Sequence, residues 1–89
     1  MDILEITENL VEKIKSLFGD VNYHIEKGFC RYEGIYRKID FYHPVKETKI
    51  SVIVYNKENI CIFTSEHGIQ CFHGRSIERT ESVLNQLSQ

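Results

Sequence analysis

Apolar side chains recur at Ile3, Ile6, Leu10, Ile14, Leu17 and Phe18, with Glu5, Glu8, Glu12, Lys13 and Lys15 mostly between them. Steps of three and four gather the apolar set on one stripe of a helix and leave the charges opposite. Asp2 is placed to cap that helix, Glu5 stands where a capping-box partner belongs, and Gly19 supplies the C′ position that ends it. Beyond Gly19 the period drops to two. Val21, Tyr23 and Ile25 alternate with Asn22, His24 and Glu26, Lys27-Gly28 reads as a turn, and a longer extended segment follows from about Phe29 to Tyr42, with a bulge or bend at Gly34. Pro44 and its polar neighbours through Thr48 read as a loop. Lys49 to Tyr55 and Ile60 to Ser65 read as strands joined by a turn at 56–59, and Glu66-His67-Gly68 as a tight turn into a last strand, Ile69 to His73. Ser76 can then cap a helix whose apolar side is Ile77, Thr80, Leu84 and Leu87.

The expected fold class is therefore α+β: one domain over residues 1–89 in the order α-β-β-β-β-β-α, an antiparallel meander of four to five strands with an N-terminal and a C-terminal helix packed on one face. Ile35, Ile39, Phe41, Ile50, Val52, Val54, Ile60 and Ile62 form the expected inner layer of the sheet.

Strict alternation sends a second set to the opposite face: Tyr36, Tyr42, Ile53, Tyr55, Phe63 and Phe72, accompanied by Lys38, Lys49, Ser51 and Gln70. A sheet face in water should be mainly polar, and a contiguous apolar patch of this kind marks an interaction site. Curling of the sheet, or one helix on each face, would instead make these residues core. Aromatic groups bury large area at low rotamer cost, so an open face of this composition suits a homodimer or the capture of a protein partner. Tyr36, Lys38, Tyr42, Lys49, Ile53, Tyr55, Phe63 and Phe72 are the candidate binding residues.

Composition narrows the alternatives. Eighty-nine residues with 42% hydrophobic and 27% charged side chains form an ordinary globular chain, whose small size leaves little apolar surface to spare outside the core. The formal net charge of −2 is too small to imply a polyanion partner by itself. It is unevenly spread. Asp2, Glu5, Glu8, Glu12 and Asp20 outweigh Lys13 and Lys15 at the start, while Arg31, Arg37, Lys38, Lys46, Lys49 and Lys57 outnumber Glu33, Asp40 and Glu47 in the middle. Aromatics interleaved with Arg37, Lys38 and Lys49 make single-stranded nucleic acid the second reading of the same face, with bases stacked on rings and phosphates on lysines. In outline the order of elements resembles meander-plus-helix nucleic-acid modules of the whirly type, which implies the same kind of ligand.

Three cysteines, Cys30, Cys61 and Cys71, are an odd number without repeated spacing, which points to a reducing compartment. Acids at positions 2, 5, 8 and 12 are incompatible with a signal peptide, and no apolar run approaches the length of a membrane span, so a cytoplasmic protein without membrane association is expected. Cys61, His67, Cys71 and His73 have zinc-ligating chemistry but lack knuckle spacing. Pairing Ser65 with Gly68 would set Cys61 opposite Phe72; only a register shifted by one sets it opposite His73. Packing explains these cysteines more simply, and neither a metal nor a cofactor is expected. Cys71, with His73 two residues on and the final helix beginning shortly after, comes closest to a thiol beside a base, but packing outweighs that reading, and Glu33, Asp40, Glu47, Glu58 and Glu66 read as solvated charges. The expected function is thus a small non-catalytic binding or regulatory module, with inhibition of a larger machine as one mode.

Overall fold

A computed structural model of the chain describes residues 2–65 and 76–89 in full and 70–74 by their backbone. Helix α1 spans Ile3–Phe18. Asp2 Oδ1 accepts from the Glu5 amide at 2.9 Å, and the amide of Gly19 (φ 85°) donates to Lys15 O at 3.0 Å, so a side-chain cap and a left-handed glycine close the two ends. Strands β1 (Tyr23–Cys30), β2 (Gly34–Tyr42), β3 (Lys49–Asn56) and β4 (Asn59–Thr64) follow as an antiparallel meander. The backbone of Gln70–Gly74 pairs with β4 as β5, and helix α2 spans Ile77–Leu87, its Ser76 hydroxyl accepting from the Arg79 amide at 3.1 Å. The architecture is α+β, an antiparallel sheet with two helices.

The start of the sheet departs from the sequence expectation. Lys27-Gly28 is not a turn. It lies within β1, opposite Arg37 and Tyr36 of β2, and the chain reverses at Arg31, Tyr32 and Glu33 instead. The segment expected to run unbroken from Phe29 to Tyr42 is thereby split into the end of one strand and the whole of the next, with Gly34 (φ 89°) taking the left-handed conformation that starts β2. Glycine at position 28 answers a different need. The Tyr36 ring lies across it, and a Cβ there would overlap the ring.

Burial follows the pleat closely. In β3 and β4, Ile50, Val52, Val54, Ile60, Ile62 and Thr64 are buried, while the residues between them are half-buried. Ile39 and Phe41 of β2 extend this wall. Against it lie Ile6, Leu10, Val11, Ile14 and Phe18 of α1 and Leu84 of α2, all in one cluster, with Ile77, Val83 and Leu87 at its margin. Phe18 meets Phe41 edge-on, ring centroids 5.0 Å apart. Ile35, expected in this layer, is instead exposed, because β2 begins beyond the reach of the helices.

The loop after β2 is less free than its polar letters suggest. His43 is buried against Phe18, with ring centroids 5.3 Å apart. Its Nδ1 accepts from the amides of Val45 (3.1 Å) and Lys46 (3.2 Å), which leaves the proton on Nε2 to donate to Leu87 O at 3.1 Å. One imidazole thus ties the β2–β3 loop to the last turn of α2.

Replacing Leu10, which has no exposed surface, by alanine should cost about 2–5 kcal/mol. Leu4, 53% exposed on the same helix, should tolerate alanine within about 0.5 kcal/mol. Urea unfolding midpoints of the two variants measure the contrast; equal losses would mean α1 does not bury the face described.

Candidate functional site

The side of the sheet facing away from the Ile39–Ile62 wall is built from the alternate residues. Directly opposed residues in antiparallel strands share a side, so the pairings Asp40–Ser51–Phe63 and Lys38–Ile53–Cys61 run as rows across β2, β3 and β4. Of the candidate residues, Tyr36, Lys38, Lys49, Ile53, Tyr55 and Phe63 all lie on this side and are half-buried, and Tyr42 is exposed at its end, opposite Lys49. The side chains that bury against α1 and α2 belong to the other rows.

Two groupings emerge. Tyr36 and Tyr55 meet edge-on with ring centroids 5.8 Å apart, and Tyr36 continues over Gly28 to the edge of the sheet. Next to them Lys38, Lys49, Ser51, Ile53, Phe63 and Ser65 line a shallow depression of about 260 Å³, with an apolar floor and two ammonium groups at its margin. Lys38 Nζ lies 3.9 Å from Asp40 Oδ2, and Asp40 Oδ1 accepts from the Ser51 hydroxyl. Asp40 therefore offsets part of the positive charge that the lysines bring. At the end of the sheet where both hairpins turn, Asn59 Nδ2 donates to Glu33 Oε2 at 2.8 Å, which joins the β1–β2 and β3–β4 turns.

The Tyr55 phenol is pushed above its ordinary value of 10.0, first by burial and then by the neighbouring Cys30, Cys61, Tyr36 and Glu33, each of which disfavours a further negative charge. Cys30 carries a free thiol.

Phe72 does not join the group by its register. β5 pairs with β4 so that Cys61 stands opposite His73, Phe63 opposite Cys71, Ile62 opposite Phe72 and Thr64 opposite Gln70. This is the register shifted by one, and it aligns Phe72 and Gln70 with the core rows instead of with Phe63. The side chains of 70–74, and the turn expected at Glu66-His67-Gly68, lie outside the described residues. So does most of the candidate zinc set: of its four members only Cys61 has a described side chain.

Sequence reading overlooked a larger exposure elsewhere. Among the described residues the most exposed large apolar side chains include Phe29, Ile35, Tyr32, Tyr42 and Val45, with Tyr23 and Ile25 somewhat less so. Tyr23, Ile25, Phe29 and Ile35 lie on the helix side of the sheet, where the register pairs Tyr23 with Phe41 and Ile25 with Ile39. The signal was available in the alternation of β1, but it was masked by reading Lys27-Gly28 as a turn.

Comparison with protein-family models, with curated proteins and with solved structures found no significant match to this chain.

Gly28→Ala should destabilise the fold by about 1–3 kcal/mol through overlap with the Tyr36 ring. In a Tyr36→Ala background the same change should become close to neutral, and a double-mutant cycle by chemical denaturation measures that coupling. A raised Tyr55 pKa means the folded state holds the phenolic proton more tightly than the unfolded chain. Its contribution is complete below pH 10 and is lost as the pH climbs through the folded value. Absorbance titration of phenolate should show a late component that disappears in Tyr55→Phe.

Proposed function

We propose that this protein is a small binding or regulatory module, without catalytic chemistry of its own, that acts through the sheet face carrying Tyr36, Ile53, Tyr55 and Phe63. In this reading both helices cover one side of the sheet and the other side is left for a protein surface: a partner, with inhibition of a larger assembly as one mode, or a second copy of the chain. The observation that carries the proposal is that these four side chains, with Lys38 and Lys49 beside them, form a connected half-buried surface in the rows that α1 and α2 do not cover. Burying a side chain the size of Phe63 contributes about 1.5–3 kcal/mol, so a few such groups suffice for a specific contact.

Charge favours protein over single-stranded nucleic acid. A phosphate chain needs unopposed cations, whereas Lys38 is shared with Asp40, and Asp40 itself stands in the middle of the rows. No helix among the described residues is long and apolar enough to cross a membrane. Placement in the cytoplasm belongs to this same proposal and rests on the cysteine usage, three residues without repeated spacing.

Phe63→Asp and Tyr55→Asp should leave the far-ultraviolet circular dichroism unchanged and abolish capture of a partner from host extract, or convert a face-to-face dimer into a monomer. Retention of all associations by both folded variants would reject the proposed face. Steep loss of single-strand binding with added salt and with Tyr36→Ala would replace the protein reading by the nucleic-acid one.

A further inference from the structure

The strongest unexplained feature lies at the edge of the sheet. β1 is the first strand in the order, so one side of its backbone has no strand neighbour. Edge strands are ordinarily kept from pairing by proline, bulges, shortness or charged side chains, and of these β1 carries only the opposite charges Glu26 and Lys27. β1 has eight residues, no proline and an unbroken register with β2. On its helix side Tyr23 (41% exposed), Ile25 (40%) and Phe29 (73%) form an apolar row interrupted only by Lys27. Among the described residues no segment lies along that edge as a further strand.

We infer that β1 pairs antiparallel with β1 of a second copy across a two-fold axis at Ile25, joining the two sheets edge to edge. The two-fold stands perpendicular to the sheet and preserves its faces, so opposed residues must both be odd or both be even in number. That restriction leaves few registers, and charge selects among them. Centring on Glu26 opposes two carboxylates, and centring on Lys27 opposes two ammonium groups. Both are disfavoured across a strand pair. Centring on Ile25 sets Ile25 against its own copy, His24 against Glu26, and Tyr23 against Lys27, with each mixed pair occurring twice. His24–Glu26 pairs able to hydrogen-bond on one face, the Ile25 pair flanked by Tyr23 and Lys27 on the other, and open backbone groups between them agree on this register.

The contact is made by β1 and does not use Ile53, Tyr55 or Phe63 of the aromatic face. In the paired form the Tyr36 rings of the two copies flank the junction, since each lies over Gly28 of its own β1.

Sedimentation of the full chain over a range of concentrations, with three variants, tests the pairing. The wild type should associate to a dimer. Ile25→Lys, which opposes two cations on the axis, should weaken that dimer by tenfold or more with unchanged circular dichroism. Ile25→Cys should form a reducible covalent dimer under mild oxidation, whereas Glu26→Cys, whose counterpart is His24, should not exceed the wild-type background. This cysteine pair keeps the test decisive if the lysine variant folds poorly. A wild type that stays monomeric at millimolar concentration overturns the inference, as does cross-linking that is equal for the two cysteine variants. A dimer that survives Ile25→Lys but is lost in Phe63→Asp also overturns it, and assigns self-association to the aromatic face instead. Failure at the edge leaves partner capture by that face intact, and failure of that capture leaves the edge dimer intact.

Discussion

The buried wall of Ile39, Phe41, Ile50, Val52, Val54, Ile60 and Ile62 is the contact on which everything else in this molecule depends. These seven side chains come from three adjacent strands and must all point the same way to meet α1 and Leu84. A strand has only two sides, so the demand of the wall fixes where every intervening residue goes. A one-residue slip of β3 would place Ser51 and Lys49 in the core and Ile50 in water, at a cost of several buried aliphatic groups. The unbroken pairing from Arg37–Val54 to Tyr42–Lys49 is held by that penalty more than by any single hydrogen bond.

Two consequences follow for the surface. In the middle of the sheet the rows left over from the wall carry Tyr36, Ile53, Tyr55 and Phe63, all half-buried, and Tyr36 meets Tyr55 edge-on. At the β1 end the wall rows continue past the helices, and Tyr23, Ile25, Phe29 and Ile35 lie on the core side without a core to enter. At that end Lys15 of α1 places its ammonium 5.3 Å from the centre of the Tyr23 ring. Two helices of sixteen and eleven residues are too short to roof the whole sheet. Apolar surface is therefore left over on both sides, in different places and with different geometry.

Much of this architecture was legible in the amino-acid order. Helix α1 and its caps, α2 with Ser76, and the strands β3 and β4 all follow from periodicity and local chemistry, because each is dictated by residues within a few positions of one another. The hairpin of β1 and β2 was not legible. Lys27-Gly28 has turn letters, and nothing within the local window reveals that the glycine makes room for a tyrosine eight residues later. His43 was hidden for a similar reason. Beside a proline and among polar residues it looks like loop, yet its partners are the C-terminal turn of α2, far along the chain, and Phe18.

By itself the sequence determined the class of the fold, the ends of its helices and the two-sided apolar character of the central strands, since periodicity and caps are set by near neighbours. Tertiary structure decided which apolar residues are covered and which are left in water, because the reach of a helix over a sheet depends on packing between elements remote in sequence. It also decided the register of β5, where a shift of one residue moved Phe72 from opposite Cys61 to opposite Ile62. Parity along a strand is a local property; the choice of partner across the ladder is not.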